Sequence, residues 1–130
     1  MLTVTRLLTV ALLSIGLAGA AFAGKERPNN SLKVTATAYN SLSRQTDSTP
    51  NIAAWGDKLN PGMKAIAVSK DLLKQYGLSR GSKVKIKGLE GEYVVLDKMH
   101  PRWRKKIDIY MGKDRRKALR WGKRTVTIHW

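Results

Sequence analysis

Two runs decide how this chain folds: Tyr93-Val94-Val95-Leu96-Asp97-Lys98-Met99 and, after a short linker, Lys106-Ile107-Asp108-Ile109-Tyr110-Met111. Both are short and rich in Val, Ile and Tyr, the composition of buried strands. Each carries one Asp in apolar surroundings. A carboxylate is uncommon inside a strand, because burying it is costly unless it is paired or used. Alternation in the second run puts Ile107, Ile109 and Met111 on one face and Asp108 and Tyr110 on the other. The expectation is a barrel wall whose polar face opens onto a groove. The same pattern also fits aspartates that receive Lys or Arg side chains, or that cap backbone N–H groups.

Further strands flank this pair. Leu32 to Tyr39 alternates as Leu-Lys-Val-Thr-Ala-Thr-Ala-Tyr, Ala65 to Val68 is a short buried run, and Val84-Lys85-Ile86-Lys87 alternates cleanly. Thr125 to Trp130 closes the chain as a strand, with Val126 and Ile128 facing together. Ser69 is placed to cap a brief helix, Lys70 to Tyr76, ended by Gly77. Asp114 is placed to cap a second, Arg115 to Trp121, stopped by Gly122. Asn60-Pro61-Gly62 is a turn, with Pro setting φ and Gly free to take φ > 0. Asn40 to Pro50 has the composition of a long loop, and Ile52 to Asp57 is an apolar, aromatic patch within it. The sum is six or seven short strands and two small helices, with no repeats. A small β-barrel accounts for few, irregularly spaced strands better than a sandwich does.

The chain has 130 residues, room for one domain with one core. Its 25 Lys and Arg against 9 Asp and Glu give a net charge of +16. Folding does not require so basic a balance, which points to an anionic surrounding: nucleic acid, acidic lipid headgroups or cell-wall carboxylates. With no cysteine there is neither a disulfide framework nor a thiolate nucleophile. His100 and His129 lack metal-ligand spacing, so neither a metal nor another cofactor is expected.

Residues 1–23 have the anatomy of a secretory signal. Arg6 makes the leading segment positive, Leu7 to Ala20 is apolar, and Ala21-Phe22-Ala23 offers small residues for cleavage before Gly24. An apolar run of about 14 residues is short for a membrane span, which needs roughly 20. Export to the periplasm or cell envelope is therefore expected, with 24–31 as a flexible lead-in and 32–130 as the folded domain. An exported protein seldom meets nucleic acid, so none is expected as a partner.

With these residues laid out, Val34 to Trp130 resembles the three-aspartate domain, the catalytic part of membrane-bound lytic transglycosylase A. The resemblance rests on Thr37-Ala38-Tyr39, Ala53 to Leu59, Ile66-Ala67-Val68, Gly81-Ser82-Lys83-Val84, Asp97, Ile107 to Tyr110 and Trp121 to Val126. Their order and the eleven-residue step from Asp97 to Asp108 carry it, rather than any single match. It implies a six-stranded double-psi β-barrel, shared with rare-lipoprotein-A-like and expansin-like proteins. Two departures stand out: Ser69 occupies a place where the family has Asp, and Lys98 to Trp103 replaces a glycine-rich loop. Barrels of this type also host binders without catalysis.

The resemblance implies cleavage of peptidoglycan glycan strands, and the protein is expected to be a monomer. Most glycosidases use two carboxylates, but a lytic transglycosylase needs one acid/base. Asp108 matches the family's catalytic position, and Asp97 would be a second catalytic carboxylate in the groove, tuning Asp108 as a like charge or steadying the oxocarbenium-like state. Tyr39, Asp57 and Tyr110 are candidates for substrate contact, and Trp55 and Trp103 for stacking on sugar rings, whereas Trp121 and Trp130 read as core. Arg102-Trp103-Arg104-Lys105-Lys106 and Lys113 to Lys117 are either solvated faces or attachment points for stem-peptide carboxylates and anionic envelope surfaces. Three classes stay open from the residues: a peptidoglycan-cleaving enzyme, a non-catalytic wall-binding barrel, and a basic single-strand binder.

Overall fold

The computed structural model describes residues 29–41 and 52–130. The expected leader, most of the lead-in and most of the Asn40–Pro50 loop lie outside the described residues. The strands are β1 (Ser31–Tyr39), β2 (Ala65–Val68), β3 (Lys83–Ile86), β4 (Tyr93–Lys98), β5 (Lys106–Tyr110) and β6 (Arg124–His129). Helix α1 (Lys70–Lys74) follows β2, and α2 (Arg115–Trp121) precedes β6. The strands close into a barrel in the order β1-β5-β2-β4-β3-β6. β1 runs parallel to β5 and β2 parallel to β4, while the other neighbours are antiparallel. Closure leaves these strands without a free edge.

Alternation fills the interior. Val34 and Ala36, Ile66 and Val68, Val84 and Ile86, Ile107 and Ile109, and Val126 and Ile128 point inward from five strands; β4 adds buried Val95, with half-buried Tyr93 packed against the same cluster. Leu72 and Leu78 join them from the α1 segment. Each Val, Leu or Ile so buried contributes about 1.5–3 kcal/mol by leaving water. A second apolar cluster lies on the other side of the wall, formed by Tyr39, Ala53, Leu59, Ala65, Ala67 and Tyr110.

β4 stops facing inward after Val95 because its register slips. Ile66 pairs with Val95, but the next residue of β2, Ala67, pairs with Asp97. Leu96 is thus the extra residue of a β-bulge. Strict alternation would put Asp97 on the face of Val95, inside the barrel. The bulge sets it level with Ala67 on the outer side instead.

The turns follow local chemistry closely. Met63 N–H bonds the Asn60 carbonyl at 3.0 Å across the Pro61-Gly62 turn, where Gly62 has φ +93°. Asp114 caps α2 by accepting from Lys117 N–H at 2.9 Å, and Gly122 ends that helix. Ser69 differs from expectation. It precedes α1 but its side chain makes no capping bond. Its hydroxyl donates to Asp71 and accepts the Lys106 N–H at 3.0 Å. The helix also stops at Lys74 rather than Tyr76, and the Leu78 N–H then reaches back to the Leu72 carbonyl at 3.2 Å.

Candidate active site

The barrel wall assembles one row of side chains across four neighbouring strands. Thr37 of β1 pairs with Asp108 of β5, Asp108 with Ala67 of β2, and Ala67 with Asp97 of β4. Two strand spacings separate the aspartates, so their backbones stand about 10 Å apart. Alanine between them puts no long side chain in that gap.

The two carboxylates differ in surroundings. Asp108 is half-buried and accepts a hydrogen bond from the Thr37 hydroxyl at 3.1 Å. Asp97 is only 2 % exposed. One of its oxygens accepts the Ala54 N–H at 2.8 Å and its neighbour Lys98 N–H at 3.0 Å. It thereby ties the 52–58 loop to β4. That loop is itself closed by the Ile52–Lys58 bridge and by the Ala53 N–H to the Asp57 carbonyl at 2.8 Å.

Asp57 lies at the end of this loop and forms an ion pair with Arg80. The Arg80 Nε–Oδ2 distance is 2.7 Å, and a second contact joins Nη2 to Oδ1. The Arg80 hydrogen bond holds the Asp57 carboxyl below the ordinary carboxylate range, with its charge adding to the effect. The pair staples the loop to the turn before β3. Asp57 therefore serves the site through the loop that also carries Ala54 and Trp55.

Tyr39 and Tyr110 stand two residues beyond Thr37 and Asp108 on the same faces and are paired in register. Both are buried, their ring centroids 5.5 Å apart at 53°, and the Tyr110 hydroxyl meets Ser41 Oγ at 2.7 Å. They form a floor beside the row. Trp103 is half-buried, with the Lys106 ammonium 3.7 Å and the Arg102 guanidinium 4.7 Å from its ring centroid. Trp121 and Trp130 are structural: their indole N–H groups bond the Ala36 and Tyr76 carbonyls at 3.2 and 3.1 Å.

Asp71 is buried in the first turn of α1. Burial alone would push its carboxyl up, but hydrogen bonds from the Ser69 hydroxyl and the Lys105 and Leu72 N–H groups outweigh burial and hold it low. The Lys105 N–H lies 2.9 Å and the Leu72 N–H 3.1 Å from it. Ser69 and Asp71 together lock the end of β2 to the start of β5.

No local pattern in the sequence marks Thr37, Ala67 or Arg80 as individual site residues. Thr37 was detectable as a polar-face residue of an alternating strand, but nothing local marked β1 as the parallel neighbour of β5. Among the described residues no group of three His, Cys, Asp or Glu is placed to hold a metal ion. Compared with known proteins, the chain matches no family model and no curated protein.

Proposed function

We propose that this is an exported peptidoglycan-active protein that cleaves glycan strands by lytic transglycosylase chemistry, with Asp108 as the acid/base. The observation that carries the reading is the row Thr37–Asp108–Ala67–Asp97. It offers one half-buried, oriented carboxyl beside a small residue. The two parallel pairs, β1 with β5 and β2 with β4, support the finer assignment of a double-psi barrel.

In this scheme the Asp108 carboxyl gives its proton to the glycosidic oxygen as the bond to the anomeric carbon breaks. The substrate's own 6-hydroxyl then attacks that carbon, and its proton returns to Asp108. A 1,6-anhydro sugar forms and no water is consumed. Thr37 orients the carboxyl, and Asp97 positions the 52–58 loop. A single acid/base suits a site whose other aspartate is occupied by two backbone N–H groups. The basic run Arg102 to Lys106 would attach the protein to the wall, a contact that salt weakens.

A second reading is a wall-binding barrel without catalysis. Burial of Asp97 and the structural use of Ser69 and Asp71 favour it, because only one of the family's carboxylates is then left for chemistry. Digestion of purified sacculi separates the two. Anhydro-muropeptides in the mass spectrum are expected from the enzyme. Salt-sensitive binding without release identifies the binder.

A further inference from the structure

A hollow of about 300 Å³ opens between α1, the chain just beyond β4 and the 52–58 loop. Its walls include the apolar surfaces of Trp55, Leu73 and Met99. Lys70, Lys74 and Lys98 also line it, and no Asp or Glu does. All three lysines are exposed, and none forms a salt bridge with a described residue. Lys70 and Lys74 lie four residues apart on α1, which places them on one face of the helix. Lys98 stands with its ammonium 5.8 Å from the Trp55 ring centroid.

The acidic groups nearest in sequence, Asp71 and Asp97, are buried and form no salt bridge with these three lysines. Asp71 is directed to Ser69, Lys105 and Leu72, and Asp97 to Ala54 and Lys98 backbone N–H groups. The hollow thus combines an apolar, aromatic wall with three like charges. Gathering like charges around a concavity is unfavourable in the empty protein and becomes favourable when an anion enters. The apolar wall asks for an anion with small hydrocarbon groups attached. Three compact ammonium groups suit carboxylates, and the volume suits a short peptide bearing alanine-sized side chains.

We propose that this hollow is a subsite for a peptide carboxylate. The assignment deepens the peptidoglycan reading, whose stem peptides carry such acids, and rests on that reading for the identity of the peptide. Ala54 and Trp55 are adjacent in one loop, so a peptide in the hollow would share a wall with the segment that Asp97 anchors.

The test is a titration of the full chain with the free stem pentapeptide Ala-D-Glu-Lys-D-Ala-D-Ala, followed by amide chemical shifts. The comparators are the same peptide with its carboxyls amidated and the neutral sugar chitotetraose. The free acid is expected to shift the amides of Lys70, Leu73 and Met99, and the amidated form to bind at least about tenfold more weakly. The double substitution Lys70→Gln, Lys74→Gln is expected to weaken the free acid roughly fivefold or more, since it removes exposed charge without touching the core. Equal affinity for acid and amide, shifts confined to Arg102–Lys106, or an unchanged affinity in the double variant would each overturn the proposal. The probe has no glycosidic bond, so failure of sacculus cleavage would sink the enzymatic reading and leave this measurement intact.

Discussion

Asp97 and Asp108 flank Ala67 from opposite sides, one through a parallel and the other through an antiparallel register. They share a row but not an environment. Asp97 is buried beneath the 52–58 loop and accepts the Ala54 and Lys98 N–H groups, while Asp108 is half-buried and accepts the Thr37 hydroxyl. Under the proposed function this difference assigns separate tasks to them, chemistry to Asp108 and loop positioning to Asp97.

Asp108→Asn is nearly isosteric and keeps an acceptor for the Thr37 hydroxyl, so the fold should survive. Losing the proton donor should lower anhydro-muropeptide release by about 10²–10⁴-fold. Mass spectrometry of digested sacculi checks this, with circular dichroism as the control for folding. A folded variant that still cleaves at the parental rate would remove Asp108 from the mechanism.

Asp97→Ala leaves the Ala54 and Lys98 N–H groups without their acceptor. Stability should fall by about 1–3 kcal/mol, the range for an orphaned buried hydrogen-bonding group. Asp97→Asn retains a carbonyl oxygen for those groups and should lose less. Urea unfolding of both variants gives the comparison, and equal midpoints would show that these bonds do not anchor the loop.

Arg80→Ala releases the exposed end of the same loop without opening the core. The Ala54 amide should exchange its hydrogen faster, while the amides of Ile66 and Ile109 keep their protection. Unchanged exchange at Ala54 would mean that Asp97 alone holds the loop.

Acid should loosen the junction of β2 and β5 through Asp71. Its carboxyl is held low in the folded protein, so the unfolded chain binds a proton first as pH falls. The associated stability is present in full above the unfolded value, about 3.9. It is lost as pH drops through the lower folded value. Thermal unfolding between pH 6 and about pH 2 should show this loss. Asp71→Asn should flatten it and should already be less stable near neutrality.

Much of the architecture was legible from short-range pattern. Alternation in Leu32–Tyr39, Val84–Lys87 and Lys106–Met111 marked the inward residues, because side-chain direction in a strand depends only on parity. Pro61-Gly62, Asp114 and Gly122 marked their turn, cap and stop for equally local reasons. Ile107 and Ile109 reached the core as their spacing required.

Parity could not place Asp97. Whether it faced the core with Val95 or the outer row with Asp108 was decided by a bulge at Leu96, which exists only because β2 and β4 pair in a shifted register. The roles of Asp57 and Ser69 were also set at long range, through Arg80 and Lys106, partners 23 and 37 residues away in sequence. The amino-acid sequence by itself determined the strands, the inward faces of those that alternate without interruption, and the basic charge. Tertiary structure alone decided which carboxylate was enclosed and which was left accessible, because pairing between distant strands sets register, and register sets burial.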